Sequence, residues 1–181
     1  MVSSDGVSLQ RRARWAYEWG RLRAAVPGAM PAVGLTFLVL LLEHRLKPSV
    51  LLVGGLLVLG CLGLGWWGRQ WGRAVAPGLL AGLIPLLLPF LVRGAGHVCY
   101  SSGCRAFCLM TCVVGGLAAG AFLSLASLRI QEGRERFILT SGAVASLCGA
   151  LSCILYGLSG VLGLVAGLAL VSTPVLILRR A

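Results

Sequence analysis

The sequence predicts an all-α fold, a polytopic transmembrane bundle of six helices, on three observations. The 181-residue chain is 58% hydrophobic and only 12% charged, with a mean hydropathy of +0.93. That is more apolar surface than one water-soluble core of this size can hide, which argues against a soluble enzyme domain. The charges are also segregated: 15 arginines and one lysine stand against five acids, for a net +11, and they fall between long uncharged stretches. Finally, aliphatic residues dominate and no three- or seven-residue period is sustained, which sets aside disorder, collagen and coiled coil. Asparagine is absent while Gly, Ala and Arg are abundant, a bias that suits a GC-rich genome and points to a bacterium.

A helix needs about 20 apolar residues to cross a hydrocarbon core of roughly 30 Å. Uncharged windows of that length place the first span at 24–42, the second at 50–68, the third at 74–92 and the fourth at 106–128. The 42 uncharged residues from Phe137 to Leu178 suit two crossings, 137–156 and 161–178, joined by a tight turn at Gly157-Leu158-Ser159-Gly160. Residues 1–23 then form a basic and aromatic arm, and 179–181 a short tail. The first apolar run is too long for a signal-peptide core and ends in Glu43-His44-Arg45 with no small-residue cleavage signature, so it is expected to remain as an anchor. Arg11 and Arg12 stand 11 residues ahead of that run, with Glu18 between, which argues against a twin-arginine export signal.

Loop charge sets the orientation. Arg11, Arg12, Arg14, Arg21, Arg23, Arg69, Arg73, Arg129, Arg134, Arg136, Arg179 and Arg180 fall on one face, against Arg45, Lys47, Arg93 and Arg105 on the other. The positive-inside rule then puts both termini in the cytoplasm, in a bacterial inner membrane. Trp66, Trp67 and Trp71 belong at the cytoplasmic headgroup level, where indoles concentrate.

Helices in lipid associate through close backbone approach, for which small residues four apart are the enabling feature. Gly78 and Gly82, Gly116 and Gly120, Gly142 with Ser146 and Ala150, and Gly163 and Gly167 provide such pairs. They either pack one compact bundle or form homo-oligomer seams. Pro85 and Pro89 remove two backbone donors from the third span and leave the carbonyls of Ala81 and Pro85 without their usual partners, so its outer half is expected to kink.

The cysteines gather toward the outer face. Cys99 and Cys104 occupy the loop GHVCYSSGC, Cys108 and Cys112 open the fourth span, Cys153 lies about one turn inside the outer end of the fifth, and Cys148 is deeper. His97 precedes Cys99 by two positions. In an oxidising periplasm, Cys99 and Cys104 suit a disulfide closing a small loop. Alternatively, His97, Cys99, Cys104, Cys108 and Cys112 are proper ligands for a soft or borderline metal such as Zn(II), Cu(I) or Cd(II). The third alternative is inert packing, since a buried cysteine is a small hydrophobe; it suits Cys61 and Cys148 best.

None of the six windows holds Asp, Glu, Lys, Arg or His, which argues against ion-coupled transport and against an intramembrane hydrolase. The intramembrane hydroxyls, among them Thr36, Ser124, Ser127, Thr140, Ser141, Ser152 and Ser172, are expected to bond their own helix carbonyls. No Walker or dinucleotide motif is present. In the arm, Trp15, Trp19 and Leu22 fall on one helical face beside Arg14, Glu18 and Arg21. Such a segment suits the inner leaflet of the lipid bilayer, with guanidinium groups toward anionic lipid. Alternatively, Trp15, Tyr17, Trp19, Arg21 and Arg23 form a docking helix for a cytoplasmic protein. An arm this short offers no place for a DNA-binding domain, so no direct nucleic-acid binding is expected from the charge.

A short basic N-terminal segment, six helices, a small-residue-rich stretch such as GAVASLCGALSC and extracytoplasmic cysteines together resemble the six-span bacterial membrane anti-sigma factors of the NrsF type. The likeness lies in layout across the chain. It implies a non-enzymatic regulator whose arm, around Trp15 to Arg23, holds a sigma factor, with Cys99 and Cys104 as redox or metal sensors. The arm is short, and the sequence lacks the Cys-Pro stretch expected between the last two helices. The competing class is a small permease or an accessory subunit of a membrane complex, using the prolines of the third span as a gate or docking face.

Overall fold

The structure, a computed structural model, describes residues 4–43, 47–94, 102–130, 133–154 and 158–177. All regular structure among them is helical: α1 Ser4–Glu43, α2 Pro48–Trp67, the single turn α3 Arg69–Gly72, α4 Val75–Gly94, α5 Ser102–Ser127, α6 Arg134–Cys153 and α7 Leu158–Ile177. Among the described residues, the helical segments Gln10–Leu42, Pro48–Trp67, Leu109–Ser127 and Arg134–Cys153 are long and apolar enough to cross a membrane. Val75–Leu91 and Ser159–Thr173 are shorter apolar stretches.

Local chemistry sets the boundaries. Pro48 opens α2, where its missing N–H would have lacked a partner in any case. Gly68 closes it with φ 127° and ψ −179°, a conformation open essentially to glycine, and its carbonyl accepts the N–H groups of Trp71 and Gly72 at 3.1 and 2.9 Å. Gly133, left-handed at φ 69°, precedes α6 and accepts the Phe137 N–H at 3.0 Å. Leu158, Ser159 and Gly160, expected in the last turn, instead begin α7. Residue 157 lies outside the described residues.

The main pairings are α5 with α7, α4 with α6 and α1 with α2. Glycine contacts explain all three. A Cβ on Gly167 would come 2.6 Å from the Val113 carbonyl, and one on Gly116 would collide with that of Leu164. Gly78 faces the Ser141 carbonyl in the same way at 2.8 Å, Gly82 the Cys148 Cβ at 2.5 Å, and Gly54 meets Thr36. The small-residue pairs of the sequence therefore sit in seams within one chain.

The core centres on α6, of whose apolar window 72% is buried, against 22% for α1 and 28% for α2. Leucines of the outer helices, such as Leu52, Leu59, Leu91 and Leu170, point outward, as lipid-facing positions would. The hydroxyls largely bond their own helix: Thr36 donates to the Ala32 carbonyl, Thr140 to that of Arg136, Ser141 to that of Phe137 and Ser172 to that of Leu168.

Candidate functional site

Helix direction sorts the chemistry to two ends of the bundle. At one, the C-terminal ends of α2 and α5 and the starts of α4 and α6 gather with the arm half of α1. This is the arginine end. Opposite lies the cysteine end, where α5 and α7 begin and α6 finishes.

At the cysteine end, Cys112 of α5 and Cys153 of α6 bring their sulfur atoms to 2.8 Å, with either thiol able to donate. Their exposures are 2% and 0%, and Leu164 and Val161 of α7 enclose them. Gly160 makes the approach of α7 possible: a Cβ there would lie 3.1 Å from the Cys153 carbonyl and 3.4 Å from Cys112 Sγ. Two thiols in contact in a dry site can share a hydrogen bond or, on losing two electrons, join covalently.

Beside them, Pro85 of α4 is fully buried, seated against Gly115 of α5 and Gly149 of α6, whose Cβ positions would lie 3.0 and 2.9 Å from its ring. α4 continues through Pro85 and Pro89. Pro89 has no N–H for the Pro85 carbonyl, and the Ser152 hydroxyl supplies the missing donor at 3.1 Å while also lying 3.1 Å from the Gly149 carbonyl. A neighbouring helix thus satisfies the group that proline orphaned. Ser152 and Cys153 are adjacent, so the proline contact and the thiol contact are one assembly.

Of the sequence-derived candidates, His97 and Cys99 lie outside the described residues, as do the side chains of Cys104 and Cys108. Cys104 and Cys108 are placed only as backbone positions of α5, about two turns and one turn before Cys112 respectively. Among the described residues, no group of three potential metal ligands occurs. Cys61 and Cys148 belong to the main apolar core, with Leu57, Leu151 and Val144. Sequence reasoning placed Cys153 in the outer gathering of cysteines but not among the candidate ligands, and did not pair it with Cys112. The available signal was its position near the outer end of a span, close in depth to Cys112.

At the arginine end, the arm and the first span form one continuous helix, α1, of 40 residues. Trp15, Tyr17 and Trp19 are exposed. The candidate docking residues pair along this helix: the Arg21 guanidinium lies 5.7 Å from the Tyr17 ring, and that of Arg23 5.8 Å from the Trp19 ring. Arg21 also donates through Nη2 to the Trp66 carbonyl, fastening the arm to the end of α2. Farther along this end, Arg134 Nε donates to Ser127 Oγ at 2.9 Å.

Comparisons with protein-family models, with characterised proteins and with solved structures give no match for this chain.

Proposed function

We propose that this is a six-span, non-enzymatic regulatory protein of a bacterial inner membrane, with the arginine end in the cytoplasm and the thiol pair as its responsive element. The observation that carries the reading is the 2.8 Å approach of Cys112 and Cys153, two helices joined at a buried point by the residue type that changes covalent state with redox conditions. Hydrogen peroxide is a sufficient oxidant. Both thiols give up a proton and together two electrons, an S–S bond forms, the O–O bond breaks and two waters leave. α5 and α6 both run from this bond to the arginine end, so the covalent state at one end bears on the other. The resemblance to NrsF-type regulators supplies the partner, a sigma factor held on the exposed Trp15–Tyr17–Trp19 segment. Soft metal binding by the outer His97–Cys99–Cys104 segment belongs to the same proposal.

The test treats membranes with peroxide, quenches in acid, denatures, and alkylates the remaining thiols for mass analysis. Loss of exactly the Cys112 and Cys153 labels together, restored by a dithiol reductant, supports the reading; full labelling of both after peroxide refutes it. Capture of a sigma factor by the arm, changed by peroxide in the wild type and not in Cys112→Ser, supports the regulatory role. Membrane subunits co-purifying in its place would favour the accessory-subunit class.

A further inference from the structure

The arginine end contains a cleft of about 650 Å³ between α1, the end of α2, α3 and the start of α4. Its polar lining comes from Tyr17, Arg21 and Arg73, and none of the described residues lining it is acidic. Arg21 is held in place by its bond to the Trp66 carbonyl and by the Tyr17 ring, and its five-donor fork has further N–H groups to offer. Arg73 is exposed, and its guanidinium has no partner among the described residues. It also lines a smaller cavity, about 90 Å³, together with Trp71 and Arg136. Two arginines lining one cleft, with no acidic residue among its described lining, give it the character of an anion site, and planar guanidinium forks suit a phosphate.

The walls specify what carries that phosphate. Deeper in the cleft the lining turns small and apolar, through Ala25, Gly28, Cys61 and Val75. At the same end of the bundle, Trp66 and Trp67 close α2 and Trp71 lies in α3, with the Trp67 and Trp71 rings 6.4 Å apart and Trp67 74% exposed. Indoles at the end of an apolar helix mark headgroup depth. The cleft is therefore cationic at that level and apolar below it, the polarity order of a phospholipid.

We propose that this cleft binds the phosphate ester of an anionic phospholipid, with Arg21 and Arg73 on its oxygens and the first carbons of the lipid along the apolar wall. The inference is independent of the thiol-based function.

The experiment places the full chain in nanodiscs of phosphatidylcholine and phosphatidylglycerol, then extracts it gently and counts retained lipids by native mass spectrometry. The wild type is expected to retain phosphatidylglycerol selectively. Arg73→Gln, which breaks no side-chain hydrogen bond or ion pair among the described residues, should lower that selectivity about fivefold, the weight of one cation at an anionic surface. Arg73→Lys should keep most of it, and Arg23→Gln, on the same end but outside the cleft, should leave it unchanged. Equal losses in Arg73→Gln and Arg23→Gln would assign the effect to diffuse surface charge and overturn the site, as would a wild type with no lipid preference. Inorganic phosphate is the second probe, added to protein in zwitterionic detergent. Thermal stabilisation by phosphate equal to that by phosphatidylglycerol, and lost in Arg73→Gln, would give the site to free phosphate and overturn the lipid assignment.

Discussion

The two ends of this bundle are built on opposite principles. At the cysteine end, α4, α5, α6 and α7 meet backbone to backbone, with Pro85 between Gly115 and Gly149 and its carbonyl, orphaned by Pro89, met by the Ser152 hydroxyl. At the arginine end a cleft of about 650 Å³ opens beside α1, and the positions of Gly20 and Gly28 on that helix have nothing within 4 Å of a built Cβ, although Gly65 of α2 still packs closely on Ala25. Glycine therefore means different things in the two places. In the seams it permits contact; on α1 it merely leaves surface uncovered.

The largest expected effect tests the tight half. Gly167→Leu should cost roughly 3 kcal/mol, at the upper end of overpacking penalties, because its Cβ would press on the Val113 carbonyl rather than on a movable side chain. Unfolding in mixed detergent measures it, and a cost below that of a surface change would show that α5 and α7 are not packed this closely. Gly68→Ala comes next, at about 2 kcal/mol, since φ 127° with ψ −179° is a region that side chains avoid; the same unfolding assay reads it. Gly20→Ala should act in the opposite direction and stabilise by about 0.7 kcal/mol, because an exposed helical glycine carries an entropic cost and nothing there obstructs a methyl group. A destabilised Gly20→Ala would reveal an unseen contact on the arm. Ser152→Ala is the smallest, about 0.6 kcal/mol, typical of one interhelical hydrogen bond in a membrane protein. A much larger cost would make the hydroxyl on the Pro85 carbonyl a keystone of the cysteine end.

The six long helices were legible because charge is absent from whole stretches, and that signal survives any detail of packing. Their ends were less so. α5 starts at Ser102 and α6 at Arg134, earlier than the apolar windows at 106 and 137, because backbone hydrogen bonding continues through polar residues that hydropathy excludes. The arm was expected as an amphipathic segment distinct from the first span, yet α1 is unbroken from Ser4 to Glu43 and continues through Pro27 and Pro31; the arm itself is rich in helix formers such as Arg, Ala, Glu and Leu, while the prolines at its junction with the span give a breaking signal that the helix overrides. The glycine seams were visible as spacing, but which helix faces which depends on rotation about each axis, and a sequence period does not fix that. For the same reason Cys112 and Cys153 were both expected near the outer face, but their pairing with each other was not. Arg73 looked like one loop charge among many; only the cleft beside α3 distinguishes it.

α6 is the central helix, and it is fastened near each end: Cys153 against Cys112 and, about 30 Å away by helical rise, Arg134 to Ser127. Both fastenings are to α5. A shaft keyed twice to the same wall can neither spin nor slide without breaking a key. A single residue's worth of turn, about 100°, would release the arginine from the serine as it drew the sulfur atoms apart, so the two ends keep a common register even though no side chain spans the distance.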